Sequence, residues 1–305
     1  MPALRTPDAA FADLADYPFA PNYLEVFAGG DLGRLRIHYL DEGAPDAPIA
    51  LLLHGEPSWS YLYRSMIPPL VAAGARCLAP DLVGFGKSDK PMAASDYSYA
   101  AHVRWMSDWF LALDLHDVTL FCQDWGGLIG LRLVAAFPER FARVMVSNSF
   151  LPTGDTPPGA AFAAWCKFSQ EVPVFPAGGI VQGGTARGIS DAARAAYDAP
   201  YPDETYKAGA RIFPLLVPAS PDDPESAANR AAWAVLDTFD KPFLTAFGDS
   251  DPVTKGADRV IQARIPGAAG QAHTTIERGG HFIQEDAGPE LAAMLAKFMG
   301  LPGAP

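Results

Sequence analysis

The amino-acid sequence predicts an α/β fold in which a mostly parallel sheet is flanked by helices. Short apolar runs alternate with helix-period segments along most of the chain, as expected when crossover helices join parallel strands. Continuous apolar runs such as Ile49–Leu53 suit strands that are buried on both faces. A segment of different character interrupts this alternation between about residues 151 and 226, which indicates an insertion into the α/β unit.

The alternation places seven strands and three helices. The expected strands are Leu35–Tyr39, Ile49–Leu53, Arg76–Ala79, Val118–Cys122, Val144–Ser147, Phe243–Phe247 and Thr274–Glu277. The expected helices are Tyr99–Leu113, Leu128–Phe137 and Glu290–Met299.

The interrupting segment is rich in Pro, Gly and aromatic residues and has no convincing strand pattern. Its aromatic content argues against a disordered insert. We expect residues 151–228 to form a helical cap inserted after the sixth strand, between two parts of the core at residues 1–150 and 229–305. An insertion there would lie at the carboxyl edge of the sheet, where ligands bind in open α/β folds.

Length and charge limit the possible partners. A chain of 305 residues can bury one large core. With 35 acidic and 23 basic residues, the net charge of −12 repels phosphate backbones, so we expect no nucleic-acid partner. Residues 1–19 lack the apolar run of a signal peptide, and no segment reaches the roughly 18 apolar residues of a membrane span. We therefore expect a cytoplasmic protein that does not bind membranes.

The cysteines predict neither a disulfide nor a metal site. Cys77, Cys122 and Cys166 are odd in number, widely spaced and surrounded by apolar residues. They are expected to be buried free thiols. The sequence also shows no dinucleotide or metal-binding motif, so we expect no cofactor and no bound metal.

The stretch Val118–Gly127 (VTLFCQDWGG) resembles a nucleophile elbow, the sharp turn between a strand and a helix that presents a catalytic serine. Here Asp124 occupies the serine position, and Gly126 and Gly127 are expected to let the strained turn form. An aspartate before a helix is also a common helix cap, so the turn alone does not establish chemistry.

Three further turns follow predicted strands and are expected at the same edge of the sheet. The first begins at His54, where the backbone N–H of Glu56, together with that of Trp125, could form an oxyanion hole. His54 lies within the turn itself and is interpreted as structural. The second contains Asp249 and Asp251, and the third contains His281.

The chain order of these residues favours a catalytic triad. Asp124, Asp251 and His281 follow the order nucleophile, acid, base that is expected of α/β hydrolases. A carboxylate is already ionised near neutral pH and needs no base to activate it. Its attack on an acyl group would give a reactive anhydride, whereas attack on a saturated carbon gives a stable ester. The sequence thus indicates displacement at a haloalkane or an epoxide carbon, followed by ester hydrolysis with water activated by His281.

The motifs HGEPSWSYLYR, DLVGFGKSDKP, QDWGG, GDSDP and GGHF together resemble those of the haloalkane dehalogenases of the α/β-hydrolase superfamily. The resemblance extends from about Leu35 to Met299, and the combination of HGEPSW with QDWGG is its most specific part. It implies an α/β-hydrolase fold, an acid after the seventh strand and a halide held between two tryptophans.

The resemblance assigns Trp125 and Trp165 to halide binding. An indole N–H is a suitable donor to a departing halide in a dry site. Phe162, Trp165 and Phe168 recur at helical spacing and are expected on one face of a cap helix. Another branch of the family uses an asparagine where this chain has Glu56, and an ionised Glu56 would repel halide. Glu56 was also considered as a residue that helps to hold the hydrolytic water.

Other family members keep a glutamate acid after the sixth strand, where this chain has Asn148. That difference leaves Asp251 as the acid. Asp249 is the rival, and Asp251 is favoured because it matches the family motif and directly precedes Pro252.

Two alternatives remain open. Epoxide hydrolases are similar and use two cap tyrosines, for which Tyr197, Tyr201 and Tyr206 are candidates. They usually carry a histidine where this chain has Gln123, and an aromatic residue where it has Glu56. A non-catalytic binding protein with the same fold is the second alternative.

The sequence predicts a haloalkane dehalogenase that forms an alkyl ester on Asp124 and releases a primary alcohol, halide and a proton. The expected partners are a small haloalkane, water and the halide ion. The protein is expected to act as a monomer.

Overall fold

The computed structural model describes residues 3–304, and its main feature is an eight-stranded, mostly parallel sheet. Ten strands are present, at Ala3–Leu4 (β1), Asn22–Gly29 (β2), Gly33–Glu42 (β3), Ile49–Leu53 (β4), Arg76–Pro80 (β5), Lys90–Pro91 (β6), Val118–Gln123 (β7), Phe141–Ser147 (β8), Phe243–Gly248 (β9) and Thr274–Ile276 (β10). The strand order in the large sheet is β10-β9-β8-β7-β4-β5-β3-β2, and β1 pairs with β6 separately. All neighbouring pairs from β10 to β5 are parallel. The β5–β3 and β3–β2 pairs are antiparallel.

Helices connect the strands and cover both faces of the sheet. The α-helices are Ile67–Ala72 (α1), Tyr99–Ala112 (α2), Trp125–Ala136 (α3), Ala160–Glu171 (α4), Ala177–Gly183 (α5), Asp191–Asp198 (α6), Ala208–Ile212 (α7), Ser226–Leu236 (α8), Ala257–Arg264 (α9) and Ile283–Met299 (α10). Short 3₁₀ helices lie at Asp8–Phe11, Gly30–Leu32, Ser60–Tyr63, Ala94–Asp96, Pro138–Arg140, Glu204–Lys207, Phe213–Leu216 and Pro266–Ala268. The predicted fold class, a mostly parallel sheet flanked by helices, is confirmed.

The core consists of two apolar layers, one on each face of the sheet. Leu51 and Leu53 of β4 belong to the layer that contains Trp105 and Trp109 of α2. Leu52, which points the other way, belongs to the layer that contains α1 and α10. Burial on both faces explains why β4 is a continuous apolar run.

All seven predicted strands are present, with ends displaced by at most three residues. The prediction missed β2 and the two-residue strands β1 and β6. Strand β2 lies at the sheet edge, alternates between partly buried and exposed residues, and exposes 64% of Phe27. It therefore lacks the apolar run by which the inner strands were recognised.

Two predicted helix starts were wrong. Helix α3 begins at Trp125, three residues before the predicted start, because Asp124 is the only residue between β7 and α3. Helix α10 begins at Ile283, seven residues before the predicted start, and its helical dihedral angles are interrupted at Ala287. That break lies shortly before Pro289, whose ring is poorly accommodated inside a regular helix.

The predicted cap segment contains α4 to α7 and no strand among its residues, all of which are described. It follows β8, which is the sixth strand of the large sheet in chain order. The predicted boundary at residue 228 falls inside α8, a helix that packs against α3 of the core. The division into cap and core stays a prediction.

The three cysteines are free. Cys77 and Cys122 are buried as predicted, whereas Cys166 is only partly buried. Across residues 3–304, the structure has no helix long and apolar enough to span a membrane.

Candidate active site

Asp124 occupies a strained position between β7 and α3. Its backbone has φ 51° and ψ −129°, an uncommon conformation for a residue with a side chain. The Asp124 N–H donates to the carbonyl of Asn148 at 3.0 Å, and the Asp124 carbonyl accepts from Gly127 at 2.8 Å. These bonds hold the turn so that the Asp124 carboxylate faces a cavity.

The two glycines after Asp124 serve a different purpose from the one predicted. Gly126 and Gly127 lie inside α3, and neither has a positive φ. A Cβ atom on Gly126 would lie 2.0 Å from the carbonyl oxygen of Leu53, and one on Gly127 would lie 2.0 Å from Oγ of Ser149. The glycines are therefore required for the close packing of α3 on its neighbours, not for the turn.

The imidazole of His281 lies between two carboxylates. Its Nε2 atom is 3.3 Å from Oδ2 of Asp124, and its Nδ1 atom is 3.1 Å from Oδ2 of Asp251. Burial lowers the pKa of His281, but the charge of Asp251 and the hydrogen bond to Asp124 outweigh it and raise the pKa to about 10. The imidazole is thus protonated at neutral pH while Asp124 is free.

Asp251, and not Asp249, contacts the imidazole. Its carboxylate is buried and also accepts hydrogen bonds from the backbone N–H of Val253 and the hydroxyl of Thr254. Burial alone would raise the pKa of Asp251, but His281 and these donors lower it to about 2. Asp249 is exposed and, among residues 3–304, its side chain accepts only from the hydroxyl of Ser250.

Asn148 and Gln123 hold the backbone of the histidine turn. The Asn148 amide donates to the carbonyls of Gly280 at 2.7 Å and His281 at 3.2 Å, and its oxygen accepts from Gly248 at 2.8 Å. The Gln123 amide donates to the carbonyl of His281 at 3.0 Å. From the sequence, both side chains were recognised only as departures from other families, and this anchoring was missed. The sequence feature that could have indicated this role is their position at the carboxyl ends of β8 and β7, the edge of the sheet where the site was expected.

Glu56 contributes its backbone and its side chain to the site. Its N–H donates to Oδ1 of Asp124 at 2.7 Å. Its buried carboxyl lines the cavity, and Oε1 has no hydrogen-bond partner among residues 3–304. Burial and the charge of Asp124 raise the pKa of Glu56 well above its usual range, with His281 opposing them. An ionised Glu56 was expected from the sequence, whereas this buried environment favours the neutral acid.

His54 has no free ring nitrogen. Its Nδ1 atom lies 2.9 Å from the carbonyl oxygen of Gly55, and its Nε2 atom accepts from the N–H of Leu82 at 2.9 Å. Both ring nitrogens are used within the loop, as expected of a structural histidine.

Three tryptophans line the cavity, and two of them, Trp125 and Trp165, are the predicted halide ligands. Trp125 at the start of α3 is buried and packs edge-on against Tyr99 at a ring distance of 5.0 Å. Trp165 on α4 is half-buried and stacks on Phe168 at 5.8 Å. Neither indole N–H donates a hydrogen bond within the described chain, and both residues line the cavity. They are therefore available as donors to a bound anion.

The aromatic stripe of α4 is divided between two surfaces. Phe162 and Trp165 line the cavity, but Phe168 does not and is 40% exposed. All three were expected on one helical face; Trp165 and Phe168 do stack on each other, but only Phe162 and Trp165 reach the cavity wall. Three residues turn an α-helix through about 300°, which is about 60° short of a full turn. Side chains at i and i+6 therefore point about 120° apart around the helix axis.

The cavity has a volume of about 990 Å³ and contains Asp124, His281, Glu56 and both tryptophans in its wall. Apolar side chains complete much of the wall, including Leu128, Phe150, Phe162, Ile180, Val217 and Phe282. The cavity lies at the carboxyl ends of β4, β7, β8 and β9, the edge predicted to hold the site.

The candidate epoxide-opening tyrosines do not line this cavity. Tyr197 is buried, and its hydroxyl donates to Glu285. The buried hydroxyl of Tyr201 has no partner among residues 3–304, and Tyr206 packs against the core. The wall of the cavity contains none of the three.

Known proteins match this fold and most of the chain. Residues 48–288 match the family described as alpha/beta hydrolase fold. The haloalkane dehalogenase of Psychrobacter cryohalolentis is 60% identical over 299 residues, which cover 98% of each chain. That of Mycobacterium marinum is 57% identical and covers 96% of this chain and 98% of its own. The tetrameric haloalkane dehalogenase DpaA from Paraglaciecola agarilytica superposes with a TM-score of 0.90 at 36% identity, covering 96% of this chain and 97% of its own.

The fold and the cavity at its strand ends define the class, an α/β hydrolase with a carboxylate at the nucleophile turn. The identity to its relatives extends over nearly the whole chain. Within that class, this chain belongs to the haloalkane dehalogenases.

Proposed function

We propose that this protein hydrolyses haloalkanes to a primary alcohol, halide and a proton through an alkyl ester on Asp124. The observation that carries the proposal is the placement of the Asp124 carboxylate 3.3 Å from His281, in the wall of a cavity that is also lined by two indoles whose N–H groups have no partner among residues 3–304. Family membership supports the same reaction.

In the first step, an Asp124 oxygen attacks the carbon that bears the halogen. The carbon–oxygen bond forms while the carbon–halogen bond breaks, and the halide leaves with the bonding electrons. The indole N–H groups of Trp125 and Trp165 are assigned to hold the departing halide. Hydrogen bonds to an anion in an apolar cavity are stronger than those between neutral groups.

In the second step, water attacks the ester carbonyl and His281 accepts one of its protons. The bond between the carbonyl carbon and the alkyl-bearing oxygen then breaks, that oxygen takes the second proton of the water and leaves as the alcohol, and Asp124 returns to a carboxylate. Before alkylation, the two flanking carboxylates keep the imidazole protonated. Ester formation removes the charge of Asp124, which is one cause of the raised pKa, so the imidazole can release its proton and become a base. Asp251 then stabilises the imidazolium that forms.

The backbone N–H groups of Glu56 and Trp125 are assigned to the oxyanion that forms when water attacks. The Glu56 N–H already lies 2.7 Å from Oδ1 of Asp124. The neutral Glu56 carboxyl, which is buried and has an unpartnered oxygen, is a candidate to orient the attacking water. It would not repel halide as an ionised group would.

The two alternatives have less support. Epoxide hydrolysis would need an acid near the leaving oxygen, and the candidate cap tyrosines lie outside the cavity wall. A non-catalytic binding protein would have no need for an imidazole placed between two carboxylates.

The substrate and the assembly state are separate questions. The cavity volume of about 990 Å³ is at the upper end of the roughly 300–1,000 Å³ of small-molecule sites, so chains longer than two carbons can be accommodated.

The tetrameric structure of DpaA is at odds with our expectation of a monomer. Residence in the cytoplasm remains a proposal.

The first test is release of halide and protons from 1-bromobutane and 1,2-dibromoethane, with diol formation from styrene oxide measured in parallel. We expect halide release by the natural protein and at least a 1,000-fold loss in Asp124→Ala, since no other group replaces the nucleophile. Asp249→Ala is the matched control, because it removes an exposed carboxylate that does not contact His281. Halide release that persists in Asp124→Ala would refute the mechanism, and diol without halide would favour the epoxide reaction.

A further inference from the structure

The turn that carries His281 packs directly on a segment of the predicted cap. We call residues 277–282 the histidine loop and residues 184–188 the cap strap. The N–H of Phe282 donates to the carbonyl of Gly184 at 3.3 Å. A Cβ atom on Gly280 would lie 2.4 Å from the carbonyl oxygen of Gly184 and 2.8 Å from the nitrogen of Ala186. The two backbones thus approach too closely for a side chain at residue 280.

A single buried carboxylate joins these two segments. Asp286 lies in the first turn of α10 and is 6% exposed. Its Oδ2 atom accepts from Gly280 of the histidine loop at 2.7 Å and from Ala186 of the cap strap at 2.9 Å. Its Oδ1 atom accepts from Arg187 at 2.6 Å and from Ala186 at 3.1 Å. Three backbone N–H groups from both segments therefore converge on one side chain.

The side chain of Arg187 strengthens the same connection from the surface. Its guanidinium donates to the carbonyl of Asp286 at 2.6 Å and to the carbonyl of Glu277 at 2.7 Å. The guanidinium therefore bridges Glu277, the first residue of the histidine loop, and Asp286, which holds that loop.

Asp286 differs from the other anchors of His281. Asn148 and Gln123 reach the loop from the sheet and contact the carbonyls of Gly280 and His281. Asp286 alone among these three also holds the cap strap, and Gly184, Thr185 and Ala186 of that strap line the cavity. Movement of the strap would thus be transmitted to the residue that precedes His281.

We propose that Asp286 is a positioning residue that holds His281 for hydrolysis of the alkyl ester and links that position to the cap strap. The proposal rests on the function assigned above to His281. Alkylation uses Asp124 and the tryptophans, whereas ester hydrolysis needs the imidazole. Loss of Asp286 contacts should consequently slow the second step and spare the first. A displacement of about 1 Å can cost on the order of 100-fold in rate.

The test compares the two steps in Asp286→Asn. Asparagine keeps one acceptor oxygen but presents an NH₂ group to the backbone donors that the second carboxylate oxygen accepted. With 1-bromobutane and excess enzyme, single-turnover halide release should stay within about 3-fold of the natural protein. Steady-state alcohol formation should fall roughly 10- to 100-fold, and the butyl ester on Asp124 should accumulate in the mass spectrum. Asp191→Asn, which removes an exposed carboxylate from the first turn of α6, is the matched control and should change neither step.

Arg187→Met provides a second variant in case Asp286→Asn does not fold. Its side chain is exposed, so the fold should persist, and the same selective loss should appear at smaller size. The proposal is overturned if halide release and alcohol formation fall together in proportion to the folded fraction, or if neither changes.

A substrate-free measurement separates this proposal from the proposed function. The imidazole of His281 can be titrated by nitrogen NMR in the natural protein and in Asp286→Asn. A displaced imidazole loses part of its contact with the two carboxylates, so its pKa should fall in the variant. An unchanged titration would overturn the positioning role, whether or not the natural protein releases halide.

Discussion

At the residue scale, Asp124 influences the protonation of His281, its proposed catalytic partner. While it is free, its carboxylate and that of Asp251 hold a proton on the imidazole of His281. When it is esterified, one of the two charges is lost. In the proposed mechanism, the event that creates the ester therefore also favours the neutral imidazole that acts as the base in its hydrolysis.

His281→Gln should allow alkylation and prevent ester hydrolysis, since glutamine cannot accept the proton of water. After incubation with 1-bromobutane, mass spectrometry should find a butyl group on Asp124, and steady-state turnover should fall at least about 1,000-fold. His116→Gln, a change at an exposed histidine, should leave turnover intact. An unmodified His281→Gln protein that still turns over would rule out the covalent mechanism.

Trp165→Phe should weaken halide binding, because it removes the N–H donor and keeps an aromatic ring. The bromide dissociation constant from fluorescence quenching should rise roughly 10-fold or more, as expected for a lost hydrogen bond to an anion. Trp233→Phe is a suitable comparison because Trp233 also lines the cavity, but its N–H already donates to the carbonyl of Leu151. An unchanged bromide constant in Trp165→Phe would remove Trp165 from the halide site.

At the scale of elements, the junction of β7 with α3 depends on close packing of backbone atoms. Asp124 accommodates the positive φ, and Gly126 lets α3 approach the end of β4. The position of Asp124, the proposed nucleophile, therefore depends on a contact between two elements that are distant in sequence.

Gly126→Ala should destabilise the protein by roughly 3 kcal/mol or more, since the new methyl group would meet backbone atoms of Leu53 and His54 that cannot rotate away. The free energy of unfolding in urea measures this effect. The control is Gly183→Ala at the end of α5, where a Cβ atom meets nothing within 4 Å. It should change stability by no more than about 1 kcal/mol, in the stabilising direction. Equal stability of Gly126→Ala and the natural protein would show that α3 can move away from β4.

At the scale of the whole molecule, the site is assembled from turns that lie far apart in the chain. The ends of β4, β7 and β9 contribute Glu56, Asp124 and Asp251, and the turn after β10 contributes His281. Because all these turns meet at one sheet edge, a change in the charge of the site alters the stability of the entire fold.

The contribution of His281 to stability should decrease as the pH rises. Its pKa is raised to about 10 in the folded protein, against roughly 6.5 in an unfolded chain. The contribution is complete below pH 6.5 and is lost as the pH rises to about 10, because the unfolded state loses its proton first. The difference in melting temperature between the natural protein and His281→Gln should therefore shrink between pH 7 and pH 10.

Comparing two proteins removes other titrations from this measurement. Burial lowers the pKa of Lys90 to about 7, which acts on stability in the opposite direction, but equally in both proteins. A melting-temperature difference that stays constant or grows toward pH 10 would contradict the raised pKa of His281.

The amino-acid sequence was sufficient to predict the fold class, the inner strands and the chain order of the proposed reacting groups. Strands buried on both faces must be apolar throughout, so β4, β7 and β9 are visible without a structure. The proposed reaction needs a carboxylate, an imidazole and a second carboxylate. Asp124, His281 and Asp251 supply these groups, and each lies in a turn whose motif can be recognised in the sequence. The edge strand β2 was missed because partial exposure leaves it no comparable pattern.

Which polar groups share an environment could be established only from the folded structure. The contact of His281 with Asp251, the burial of Glu56 and the position of Tyr197 outside the cavity depend on elements brought together from distant parts of the chain. The same holds for Asp286, which looks in sequence like an ordinary acidic residue in the first turn of a helix. Hydrogen bonding and burial act through distances in space, and residue spacing along the chain does not specify those distances.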